Sequence, residues 1–337
     1  MSIRVRLRSA LRLLAVLACA LLAGCATTQS GITRGLILVP KSMEISLGKA
    51  VADEVIGEYG LMDDEVIGGY VSDVGTRLTA VCDRRDLNYS FRVLDTPMVN
   101  AFACPGGFVF VTRGLLERCD NEAELATVMA HEVGHVCAYH SVKNLQAQLG
   151  YAVVASVLYY NSDNPHRDAI ADYANIAYQL MQLGYSRGDE YQADQLGLYY
   201  AAHAGYDPYQ METFFRKLIE ENGETPRLLV WLSTHPATGD RIARIPKVVE
   251  ALGLGQNAAP DVGEQRYREM VRARLDGNLE NPVRDAFQEA MVALRTEDLA
   301  AFMALVADDY RAADGETVAG LRVRLERFFA RADNLKL

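Results

Sequence analysis

The chain has 337 residues, 44 acidic against 34 basic, and a formal net charge of −10. That balance argues against a nucleic-acid partner, whose phosphates are held by clustered Lys and Arg. The length accommodates one catalytic domain with a smaller appendage.

At the start, Arg4, Arg6, Arg8 and Arg12 precede an apolar run over residues 13–23. This reads as a signal peptide and is set aside from fold reasoning. The run is short for a membrane span. It ends in Leu22-Ala23-Gly24-Cys25, which resembles the lipobox of bacterial lipoproteins. The resemblance implies a diacylated Cys25 as mature N-terminus, with stable anchoring through multiple acyl chains. Ala26 stands where an Asp retains many such lipoproteins at the inner membrane, so the expected address is the outer membrane, on the periplasmic side. Removing the four arginines takes the charge from −10 to −14. The expected organisation is a signal peptide over 1–24, a lipidated tether over 25–39, a catalytic domain over 40–252, a linker and helix over 253–282, and a helical region over 283–337.

Asn88 to Asp95 and Phe108-Val109-Phe110-Val111-Thr112 are predicted to form a small sheet, with a tight turn at Pro105-Gly106-Gly107. Asn100, Ala101, Phe102 and Ala103 are the candidate sheet edge for an extended substrate, held by main-chain hydrogen bonds. The plainer alternative is a hairpin that supports the next helix.

That helix runs from Glu122 through His131-Glu132-Val133-Gly134-His135. Leu125, Val128, Met129 and Val136 form its apolar stripe, Asp120 or Asn121 caps it, and one side is expected to be buried. Two imidazoles at i and i+4 project from one helix face and can share a metal. Neutral imidazoles suit Zn2+, and Glu132 stands beside the open coordination position as general base. Such polar groups inside an apolar run are costly without a partner, and a metal supplies one.

Residues 145–160 are apolar and read as a core helix, ended by a loop over 161–165 that is a plausible lid. Ser186 then caps a second helix carrying Glu190 and Asp194 one turn apart, with small Ala193 allowing close approach. Glu190 is the candidate third ligand. Asp194 can accept the free N–H of a ligand histidine and fix its tautomer.

With Asn100 to Leu116, His131 to His135 and Ser186 to Asp194 in order, the chain resembles peptidase family M48, the HtpX and CAAX-prenyl-protease group, and within it the periplasmic lipoprotein members of BepA and LoiP type. The resemblance implies an α+β, mostly helical zincin fold with a small sheet. It also implies one zinc per chain on His131, His135 and Glu190, and Glu132 as general base and acid. His235, in Ser233-Thr234-His235-Pro236, is implied to lie near the zinc, either stabilising an oxyanion or filling the fourth coordination position at rest. Arg241 is implied to be an oxyanion or structural partner. One departure from the family is Tyr139, where many members have Arg before His140. His140, His166 and His203 are read as structural.

Past residue 252 a Gly-rich linker leads to a charged amphipathic helix over 264–275. Residues from Val283 resemble the opening of NTF-two-like (SnoaL-like) cone domains, and the reading taken is a helical appendage. Cys82, Cys104, Cys119 and Cys137 have no spacing that identifies pairs, and Cys137 reads as a plain apolar residue. Two functions are carried forward. One is a zinc metalloendopeptidase acting on misfolded or misassembled envelope proteins. The other is a lipid-anchored outer-membrane assembly factor, working with the assembly machinery, with secondary protease activity.

Overall fold

The computed structural model describes residues 37–148, 177, 184–221, 230–236, 239–257, 262–277, 302–303 and 318–333. The leader with Cys25, residues 149–160, the loop over 161–165, His166, and most of 283–337 lie outside these residues.

Helix α1 (Lys41–Tyr59) buries Leu47, Val51, Ala52 and Val55. Helix α2 (Glu65–Val81) begins where the Asp64 carboxylate accepts the N–H groups of Val66 and Ile67, satisfying two donors that the first turn leaves open. Its buried stripe of Ile67, Tyr70, Val71, Val74 and Leu78 has helical spacing.

Three strands follow: β1 (Ser90–Leu94), β2 (Ala101–Cys104) and β3 (Phe108–Thr112), in sheet order β1-β3-β2. β3 runs parallel to β1, pairing Phe91 with Val109, and antiparallel to β2, pairing Phe102 with Phe110. The turn at Pro105 to Gly107 needs Gly106, whose φ is 78° and whose added Cβ would meet Ile45 Cα at 2.8 Å. Of the candidate edge, Ala101, Phe102 and Ala103 lie on β2, an outer strand of the described sheet, and Asn100 just precedes it.

Helix α3 (Arg113–Arg118) leads to α4 (Glu122–Cys137), which carries the two histidines. Of the two expected caps, Asn121 is the one used, its side chain accepting Glu124 N–H at 2.8 Å. The expectation of one-sided burial is corrected: all sixteen residues of α4 are buried. The sheet and α2 cover one side, while α5 (Arg187–His203) and α6 (Gln210–Glu221) cover the other, making α4 the central element. Leu125, Val128, Met129 and Val133 are fully buried, each contributing roughly 1.5–3 kcal/mol of apolar burial.

Helices α7 (Val230–Thr234) and α8 (Gly239–Ala251) close over the site. The segment over 264–277 is helical with a π-turn at Arg268–Arg272. It inserts Tyr267, Val271 and Leu275 into the core that holds α4, and Tyr267 Oη donates to Leu116 O at 2.7 Å. A last helix, α9 (Val318–Asp333), belongs to the C-terminal region. Among the described residues no helix is long and apolar enough to cross a membrane.

Candidate metal centre

The α4–α5 contact builds the site. Gly134 of α4 faces Ala193, and Gly197 of α5 faces His131; a Cβ at either glycine would lie 2.9 Å from a backbone atom of the opposite helix. Two missing side chains therefore let the helix backbones nearly touch. Ser186 and Asp189 form the expected reciprocal capping box, which fixes where α5 begins. Glu190 then faces the two histidines across a narrow gap.

His131 Nε2 and His135 Nε2 are 3.0 Å apart. Glu190 places Oε2 3.5 Å from His131 Nε2 and Oε1 3.5 Å from His135 Nε2. His235, just after α7, brings Nδ1 to 2.9 Å from Glu190 Oε1 and 3.4 Å from His131 Nε2. One ligand atom from each of the four residues lies within 4.8 Å of the others, and all four residues are buried. Ligand atoms held tetrahedrally about 2.0–2.1 Å from one zinc ion are about 3.3 Å from each other. The separations match that edge length, and three imidazoles with one carboxylate are a zinc-type donor set.

Glu132 lies beside this cluster. Its Oε1 accepts the Trp231 indole N–H at 3.4 Å and is 3.7 Å from His235 Nε2. Its Oε2 is buried with no hydrogen-bond partner among the described residues. A buried carboxylate oxygen left unpaired is expensive, and burial pushes the Glu132 carboxyl above its usual range. An oxygen kept in this state suits a group that receives a proton.

The outer atoms of the histidines also face close neighbours. His131 Nδ1 is 3.0 Å from Asp194 Oδ1. Arg241 grips the same carboxylate with Nε and Nη2 at 2.8 and 2.6 Å, and sets Nη1 2.6 Å from Glu190 Oε2. Arg241 is thus committed to two carboxylates, which favours the structural over the oxyanion role. His135 Nδ1 is 2.9 Å from His140 Nδ1, and His140 Nε2 is 2.9 Å from Gln192 Oε1. With His135 Nε2 turned to the cluster, its Nδ1–H donates to His140, whose Nε2–H donates to Gln192. His140 is therefore neutral, as burial requires by lowering it to about 4. The structural reading of His140 is extended: it is placed to set the tautomer of His135. The Tyr185 ring stacks on His135 at a centroid distance of 4.0 Å, fixing that imidazole from its face.

Electrostatically the pocket draws positive charge. Burial alone would raise Glu190, but the imidazoles of His235 and His131 hold it far below the carboxylate range. Asp194, likewise opposed by burial, is held down by Arg241 and His131. Burial disfavours charge on His131, yet Asp194 and Glu190 raise it to about 9.

The structure brings together His131, Glu132, His135, Glu190, Asp194, His235 and Arg241. The segment leading into β2 is tied to the same region, since the Trp231 main-chain N–H donates to Val99 O at 3.0 Å. His203 is exposed and stacks on Tyr199, away from the cluster. Trp231 went unnoticed in the sequence, although its place four residues before His235 on a helix was a usable signal.

A His-Glu-x-x-His helix joined by a glutamate from a neighbouring helix, over a small mixed sheet, is the arrangement of the zincin class of zinc metallopeptidases. Residues 68–249 match Peptidase family M48, and the chain belongs to this family. It is 31% identical over 205 residues to the "Putative beta-barrel assembly-enhancing protease" of Vibrio cholerae serotype O1, covering 59% of this chain and 42% of that protein. It is 32% identical over 198 residues to "Mitochondrial metalloendopeptidase OMA1" of Schizosaccharomyces pombe, covering 57% of each. The OMA1 of Arabidopsis thaliana is 32% identical over 218 residues, covering 64% of this chain and 43% of that one. The chain thus spans about half the length of these curated relatives.

Proposed function

We propose that the chain is a zinc-dependent endopeptidase in which His131, His135 and Glu190 hold the metal and Glu132 is the general base and acid. The observation that carries this reading is the convergence of three ligand side chains beside a buried, unpartnered Glu132 oxygen. When bound, zinc supplies Lewis-acid polarisation of a carbonyl and lowers the pKa of water. Glu132 Oε2 takes a proton from the attacking water and returns it to the leaving amine. Asp194 and His140 keep Nδ1 of each ligand histidine protonated, so both Nε2 atoms present lone pairs. β2 offers an extended peptide its outer main-chain groups. Alanine at His131, His135 or Glu190 should each lose metal, read by elemental analysis of the purified protein. Glu190→Ala with wild-type zinc would move the third ligand elsewhere.

His235 restrains this site at rest in our reading. Its Nδ1 stands among the ligand atoms while Nε2 faces Glu132, so it competes for the position that water requires. The further proposal is a protein tethered through lipid on Cys25 to the periplasmic side of the outer membrane, acting on misfolded or misassembled envelope proteins. The lipobox-like leader supports the address, and the relatives named beta-barrel assembly-enhancing proteases support the substrate class. A second reading, an assembly factor with secondary proteolysis, draws on those same names and on the restraining position of His235.

A further inference from the structure

Outside the metal centre, the fold joins two thiols that are far apart in sequence. Cys82 ends α2, and Cys137 is the last residue of α4, two positions beyond His135. Both are free thiols and 1% exposed. The Tyr89 hydroxyl lies 3.7 Å from each Sγ. One hydroxyl therefore contacts both sulfurs, which share a buried site where the ends of α2 and α4 meet. Cys104 sits in a different cluster with Leu94 and Phe110, and Cys119 lies beside Glu124, Lys217 and Arg272.

We propose that Cys82 and Cys137 are a disulfide pair, a covalent strut between the end of α2 and the end of the metal-binding helix. Sulfurs that share one hydroxyl neighbour are brought together by side-chain rotation, whereas cysteines with no common neighbour would need backbone movement. The step needs an oxidant of the disulfide class, such as oxidised glutathione or a protein dithiol oxidase. One cysteine thiolate attacks a sulfur of the oxidant and expels one of its thiols. The second thiolate then attacks the mixed disulfide and expels the other. Two protons and two electrons leave the cysteine pair, and the oxidant is reduced to two thiols. Because both sulfurs are buried in the finished fold, the bond forms while the chain folds and is opened by reductant as the chain unfolds.

The position gives the bond a purpose. α4 carries His131, Glu132 and His135, and its C-terminal end is where Tyr139 turns the chain with a φ of 59° to bring His140 over His135. A strut at Cys137 holds that end against α2 and closes a long loop, which restricts the unfolded chain.

The full-length chain exported to an oxidising periplasm should be alkylated in denaturant before reduction, digested and mapped by mass spectrometry. The expected product is a Cys82–Cys137 peptide pair lighter by two hydrogens, with Cys104 and Cys119 alkylated. Reductant should lower the melting temperature of the wild type by roughly 5–15 °C. It should not move that of the Cys82→Ala/Cys137→Ala double variant. Alkylation of both Cys82 and Cys137, their pairing with Cys104 or Cys119, or a wild-type melt insensitive to reductant would each overturn the assignment.

Discussion

Replacing Gly197 by alanine tests whether the α4–α5 distance is what makes the metal centre. The added Cβ would lie 2.9 Å from His131 N and 3.0 Å from His131 Cα, and both are backbone atoms that cannot rotate away. Carbon contacts are optimal from about 3.5 Å, so α5 must retreat by roughly 0.5 Å. Metal–ligand distances tolerate only about 0.2 Å, and α5 carries Glu190. Overpacking costs about 1–3 kcal/mol, while the better helix propensity of alanine returns up to about 1 kcal/mol. Global stability should therefore fall modestly, and zinc affinity should fall by about tenfold or more, the scale seen when ligand support is disturbed. Competition against a chromophoric chelator reads the affinity, and denaturant unfolding of the metal-free protein reads the stability. Gly68→Ala is the control. Its Cβ meets nothing within 4 Å, so it should leave affinity unchanged and add about 0.4–1 kcal/mol. Wild-type zinc affinity in Gly197→Ala would refute the close-approach argument.

Asp194→Asn should weaken zinc binding by about 10–100-fold, because it removes the anionic acceptor for His131. The same change should destabilise the fold by about 3 kcal/mol, measured in urea, by leaving Arg241 short of a buried partner; unchanged values in both assays would contradict the network. His235→Ala should cleave unfolded casein faster than wild type, since it vacates the cluster. A fall in kcat by about two to three orders of magnitude with zinc retained would instead make His235 an oxyanion donor. Cys25→Ser should release the protein from the membrane fraction without altering hydrolysis in vitro, and persistent membrane attachment would refute the lipid anchor.

Much of this site is visible in the sequence because its parts are local. The His131–His135 spacing, the Ser186 cap and the Glu190–Asp194 pair each depend on one helix and its period. The burial of α4 on every side is not visible, because its polar positions imitate a solvent face until partners from α5 and α7 are in place. His140 falls off the helical face by count. It reaches His135 only because α4 ends at Cys137 and Tyr139 adopts positive φ, a turn that no spacing rule anticipates. Gly134 and Gly197 look like ordinary helix-weakening residues, and their meaning depends on which helix crosses which. The proximity of Cys82 and Cys137 follows from the packing of α2 against α4, which is tertiary information throughout.

The central claim is that Glu132 moves protons and does not hold the metal. Glu132→Gln keeps the side chain's size and its acceptor for Trp231 but removes its basicity. Zinc content and casein hydrolysis, measured on the same preparation beside wild type, test the claim most directly. We predict one zinc per chain in both proteins, with hydrolysis lost in the variant. Loss of zinc from the variant, or hydrolysis at the wild-type rate, would contradict the account.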